Sequence, residues 1–206
     1  MNCETLLCFG DDLAVQKNGG CGYPEYTGHE LENKRGRNWN VINLSAKGLR
    51  AFDLARHLNA NFTSLQALAP EVVILQVGMS DALRGTPAEE FMMCYKQVVL
   101  KSLMIASFGN VVLVSIPERP SVSAPALSHP GELVRQYNSG ISGLAGQHDL
   151  HLLHFRLNHH DFIDHEHLHA NGAMCAGRQL AELISKDKRI THASSECLTI
   201  LKSCHG

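Results

Sequence analysis

No stretch of this 206-residue chain approaches the ~20 consecutive apolar residues that a membrane-spanning helix needs, so no span is expected. Neither sign of charge dominates: 18 Lys and Arg stand against 20 Asp and Glu, a formal net charge of −2. Without a basic excess, nothing points to nucleic acid or an anionic membrane surface as a partner. No basic segment precedes a long apolar stretch near Met1, so no signal peptide is expected. The seven cysteines (Cys3, Cys8, Cys21, Cys94, Cys175, Cys197 and Cys204) form no CxxC pair and are odd in number. That argues against a disulfide framework, and most of them fall in stretches where a free thiol packs as a small hydrophobe. A reducing, cytoplasmic compartment is the expectation. Internal repeats and linkers are absent too. The length suits one α/β domain, with its core at about residues 4–186 and a C-terminal tail at 187–206.

What is present is an alternation of strands and helices. Glu4–Phe9 reads as a first, central strand, followed by a glycine-rich loop and a helix from Pro24 to about Asn33. Trp39–Leu44 is a second strand. Ser45 is expected to open a helix that includes Gly48 and the periodic set Leu49, Phe52, Leu54 and Leu58. Glu71–Val77 is the clearest strand, bounded by Pro70 and Gly78. Pro87–Phe108 reads as a long helix with Thr86 as its N-cap. Asn110–Ile116 is a fourth strand, Gly131–Gln147 a helix, His151–Phe155 a fifth strand and Gly172–Ser185 a last helix. The economical architecture is a three-layer α/β/α domain on a parallel five-stranded, flavodoxin-like sheet.

An open parallel sheet collects its site at the C-terminal ends of its strands. Four clusters fall there: Gly10-Asp11-Asp12, Asn43 to Gly48, Gly78-Met79-Ser80-Asp81, and Asp164-His165-Glu166-His167. In this order they resemble the four blocks of the SGNH (GDSL-type) hydrolases, over roughly the whole domain. Phe9-Gly10-Asp11-Asp12-Leu13 matches that family's Phe-Gly-Asp-Ser-Leu, with Asp12 in the serine's place. Asn43 and Gly48 match the second block, with Ser45 for its middle glycine. Gly78 and Asp81 match the third, with Ser80 for asparagine. Asp164, His167 and Gly172 match the last.

The resemblance implies an esterase or acylhydrolase acting on a small ester or acylated substrate, with no cofactor. In such enzymes a serine attacks the acyl carbonyl, histidine takes its proton, and aspartate orients the histidine. Carried over, the catalytic positions are Asp12, His167 and Asp164. The oxyanion donors are the Asp12 N–H, the Gly48 N–H and the Ser80 hydroxyl, with Asp11 and Asp81 beside them. A carboxylate has no proton to give to His167, and its charge opposes a developing oxyanion. Three roles are therefore open to Asp12. It can be a nucleophile that forms an ester for His167-activated water to hydrolyse. It can be a base or water-positioner. Or the site is inactive and the cleft binds a ligand or partner.

Other features carry less. His165, His167 and His169 alternate and, with Asp12 and Asp164, are of a type that zinc accepts, but the resemblance implies no metal. Asp11-Asp12 after a strand also suits a Mg²⁺-binding receiver domain, yet no lysine lies between Lys101 and Lys186 to complete one. Met79, Met92 and Met93 read as core or pocket filler, and Lys34, Arg35 and Arg37 as a solvated connector. Arg84, just past the third cluster, is placed either to face substrate or on the open surface. The Pro117–Pro130 loop, with four prolines, is long enough to serve as a lid.

Overall fold

The computed structural model describes residues 3–15, 20–107, 110–118, 130–164 and 167–187. Most of the Pro117–Pro130 loop, His165 and Glu166, Cys197 and Cys204, and the tail beyond 187 lie outside these residues.

Five parallel strands among the described residues form one sheet: β1 (Glu4–Gly10), β2 (Trp39–Asn43), β3 (Val72–Gln76), β4 (Val111–Val114) and β5 (His151–Leu153). Their order is β2-β1-β3-β4-β5, the flavodoxin-like order whose switch point lies between β1 and β3. Among the described residues, seven α-helices connect and cover them: α1 (Tyr23–Arg35), α2 (Ala51–Ala60), α3 (Phe62–Ala67), α4 (Met79–Leu83), α5 (Ala88–Ile105), α6 (Pro130–Gln147) and α7 (Ala170–Lys186).

Strand alternation divides the core into two layers. Leu7 and Phe9 of β1, Val73 and Leu75 of β3, and Leu113 of β4 pack under α2, α5 and α6, against Leu54, Leu58, Phe91, Tyr95, Val98, Tyr137 and Ile141. Leu6, Cys8, Ile74, Val112 and Val114 face the other way, against Tyr23 and Leu31 of α1 and Ala173, Ala176, Leu180 and Ile184 of α7. Each Val, Leu, Ile or Phe side chain among these, once fully buried, contributes about 1.5–3 kcal/mol.

The α1–α7 seam is close because α7 carries small residues. A Cβ on Gly177 would lie 2.7 Å from the Tyr26 Cβ and 3.0 Å from both the Thr27 N and the Tyr23 O. Backbone cannot step aside as a side-chain tip can. Gly177→Ala should lower unfolding free energy by about 1–3 kcal/mol, measured by urea titration. Gly143 in α6 has nothing within 4 Å of the same position, and Gly143→Ala should raise it by up to about 1 kcal/mol.

Several local expectations change. No helix opens at Ser45; residues 45–50 are an irregular segment and α2 begins at Ala51. Phe52 is therefore exposed, while Leu54 and Leu58 are buried. Thr86 does not cap α5. Pro87 takes the N-cap position with no side-chain hydrogen bond, and the Thr86 carbonyl instead accepts from the Tyr137 hydroxyl. Met93 is exposed, not filler. Arg35 is not solvated: it donates to the Ile184 carbonyl, ion-pairs with buried Glu4 and lies over Trp39. The five described cysteines are all free thiols. No helix among the described residues is long and apolar enough to cross a membrane.

Candidate active site

β1 and β3 pair through Gly10 and Gln76, and the Asp11 N–H continues the ladder by donating to the Gln76 carbonyl at 3.0 Å. Both chains then turn. Asp11 ties the two turns together. Its carboxylate accepts from the N–H groups of Gly78 (3.0 Å), Met79 (2.9 Å) and Leu13 (3.4 Å), and from the Gln76 amide (3.0 Å). It is fully buried, and burial pushes its carboxyl up to about 6 although the Gln76, Met79 and Leu13 donors pull it down. Expected beside the substrate, Asp11 instead anchors the turns. Gly78 makes this possible: its φ of +134° disfavours side chains, and a Cβ would strike Ile116 at 2.4 Å.

The chain after β2 is held by Asn43. Its amide donates to the Ala14 carbonyl and to Glu25, and its side-chain oxygen accepts the Ser45 N–H. Ser45 and Tyr23 flank the Cys8 sulfur at 3.7 and 3.8 Å, and burial pushes this thiol up to about 12. A turn from Ala46 to Leu49 follows, with Gly48 at φ +69°. That conformation presents the Gly48 N–H to the end of β1.

Asp12 opens a 3₁₀ turn, Asp12–Ala14, and is 6% exposed. Its Oδ2 accepts from the Gly48 N–H at 2.7 Å and from the Ser80 hydroxyl at 3.1 Å. The two side donors expected to hold a substrate oxyanion thus hold the carboxylate oxygen itself. Its own N–H, the third, makes no hydrogen bond among the described residues. The second oxygen, Oδ1, lies 3.6 Å from His167 Nε2, just beyond hydrogen-bond distance.

His167 is brought in by the segment ahead of α7. Its backbone N–H donates to Asp164 at 2.8 Å, and Asp164 also receives ring Nδ1 at 3.0 and 3.1 Å. The ring is buried, and Nε2 has no hydrogen-bond partner. With Nδ1–H donated to Asp164, the neutral ring carries its lone pair on Nε2, toward Asp12. Asp12, His167, Asp164, Gly48 and Ser80 therefore converge.

Asp81 does not join them. Its Oδ2 accepts the Ala51 N–H at 3.0 Å and so secures the start of α2. It lines a separate cavity of about 180 Å³ with Arg50, Thr86 and Glu90, and burial pushes its carboxyl up to about 6. Arg84 does approach the site: its Nη2 is 3.9 Å from the place where a side chain on Gly48 would begin. Its guanidinium is exposed and makes no hydrogen bond or ion pair among the described residues. Gln76, the amide that supports Asp11, was not singled out by the sequence; a polar residue ending a continuous apolar strand is the signal that could have found it. His169 is exposed, and no group of three or more His, Cys, Asp or Glu is placed to hold a metal among the described residues.

The family model described as GDSL-like lipase/acylhydrolase matches residues 8–181. Solved structures of similar fold include the lipase/acylhydrolase from Enterococcus faecalis, at TM-score 0.72 and 16% identity, covering 88% of this chain and 95% of that one. The psychrotrophic esterase EstA from a Pseudoalteromonas species, inhibited by monoethylphosphonate, aligns at TM-score 0.69 and 19% identity over 89% and 97%. The acetylxylan esterase Axe2 from Geobacillus stearothermophilus aligns at TM-score 0.69 and 16% identity over 90% and 95%. No curated protein sequence matches the chain.

Proposed function

Because this chain belongs to the GDSL-like lipase/acylhydrolase family, we propose that it is a hydrolase of a small ester or related acylated substrate whose site runs on Asp12, His167 and Asp164 in place of a serine triad. The observation that carries this reading is the placement of one carboxylate between the Gly48 and Ser80 donors and the His167 ring. A side chain lost to drift has no reason to seat one oxygen on both donors and leave the other facing the ring. Asp164 fixes the ring tautomer, so Nε2 is free to take a proton from water. Gly48 and Ser80 supply the donors at which negative charge is stabilised. The free thiols suit a reducing, cytoplasmic compartment.

The test is His167→Ala on the purified chain against a panel of short-chain esters. Loss of the general base should lower kcat/KM by about 10²–10⁴-fold, with the melting temperature little changed. A second reading rests on the same filled donors: with Oδ2 seated there, the cleft is a binding site without turnover. That reading prevails if the parent chain binds a ligand in the cleft, hydrolyses nothing, and keeps its affinity in His167→Ala.

A further inference from the structure

We infer that Asp12 attacks through Oδ1 a saturated carbon carrying an anionic leaving group, so that the substrate is an alkyl ester of a strong acid or a related alkyl compound cleaved at the alkyl carbon. This rests on the hydrolase reading of the same site and names the bond that site breaks.

Two oxygens of one carboxylate have unlike surroundings here. Oδ2 is fixed by the Gly48 N–H and the Ser80 hydroxyl, whereas Oδ1 takes neither and faces the His167 ring at 3.6 Å. Attack on an acyl carbonyl is disfavoured on two counts. It would produce a mixed anhydride from a carboxylate nucleophile while expelling a poorer alkoxide. It would also need the Gly48 and Ser80 donors for the carbonyl oxygen, and Asp12 already holds them. Attack on a saturated carbon develops no oxyanion in the first step, so filled donors are no obstacle.

The step balances without a cofactor. Oδ1 forms a bond to the carbon, the bond to the leaving group breaks, and that group departs with the electron pair as an anion. Arg84 is placed to meet it: an exposed guanidinium, uncommitted among the described residues, with Nη2 beside Gly48. His167 Nε2 then takes a proton from water, and the hydroxide adds to the Asp12 carbonyl carbon. Oδ2 becomes the oxyanion and is already seated on its two donors. The Cγ–Oδ1 bond breaks, and protonated His167 returns the proton to the departing alcohol. The oxygen of the alcohol is the former Oδ1, and the water oxygen stays in Asp12. The sum is R–X plus water giving R–OH, X⁻ and a proton.

The experiment uses short alkyl sulfates and alkyl bromides as probes, with p-nitrophenyl acetate as the acyl comparison. In a single turnover in ¹⁸O-water, the label should enter the peptide that bears Asp12, and the alcohol should be unlabelled. His167→Ala, and independently His167→Asn, should accumulate an alkyl adduct on Asp12, seen as one alkyl mass per chain. Arg84→Gln should slow adduct formation about tenfold without slowing its hydrolysis, and Arg84→Lys should recover part of the rate. Hydrolysis of p-nitrophenyl acetate with label only in acetate overturns this inference and leaves the hydrolase reading standing. No adduct and no turnover with either probe class overturns both.

Discussion

Asp12→Ser combined with Ser80→Asn should hydrolyse p-nitrophenyl acetate with a burst of one p-nitrophenolate per chain, at a rate at least about 10²-fold above the parent. Removing the carboxylate frees the Gly48 N–H, now bonded at 2.7 Å, and removes the charge that opposes an acyl oxyanion. A hydroxyl at this position needs His167 Nε2 as its base, and Nε2 is buried, unpartnered and already turned toward the end of Asp12. The asparagine amide reaches farther than the Ser80 hydroxyl, and one oxyanion donor is worth roughly 10²–10³ in rate. Asp12→Ser alone should therefore fall short of the double variant by about that factor. A folded double variant with no burst and no labelling by a phosphonate would show that these donors do not form an acyl site.

Asp11→Ala should cost so much that the chain fails to fold or melts far below the parent. Four donors converge on that carboxylate: three backbone N–H groups and the Gln76 amide. Each buried donor left unpaired costs about 1–3 kcal/mol, against a total stability of about 5–15 kcal/mol for a domain of this kind. Asp11→Asn keeps one acceptor oxygen, and the unpartnered Gln76 Oε1 can turn to receive the new amide. It should be clearly milder. Urea unfolding of the two variants checks the order, and equal, small losses would mean that water replaces the carboxylate.

Strands were the legible part of this fold. Leu6–Phe9 and the apolar run of β3 have no polar face, and the structure buries them on both sides. Helix starts were legible to within two residues at α1, α5, α6 and α7, where Pro or Gly marks the break, but not at α2. The first N–H of α2 is satisfied by Asp81, 30 residues away. Nothing near Ser45 could report that, so periodicity in Leu49–Leu58 predicts too early a start and turns Phe52 inward. The five-residue α4 is too short to show a period. At the site, residue types at four strand ends were readable. That Asp11 turns away from the cleft to hold the two turns was not. Asp11 is claimed by Gly78 and Met79, and Asp12 is received by Gly48 and Ser80, 36 and 68 residues on. Such seating is a property of the turns' positions in space, not of the dipeptide.

The α1–α7 seam also bears on the order in which the chain can become functional during synthesis. One face of the sheet can be covered as soon as α6 has been made, because α2, α5 and α6 all precede β5. The opposite face, with Leu6, Cys8, Ile74, Val112 and Val114, shares its cover between α1 and α7, the first and last helices among the described residues. Until residues 170–186 have left the ribosome, that apolar face is half bare and open to wrong partners. Asp164 and His167 sit immediately ahead of α7. A nascent chain therefore holds Asp12 long before it holds His167, and the cleft is complete only when α7 closes.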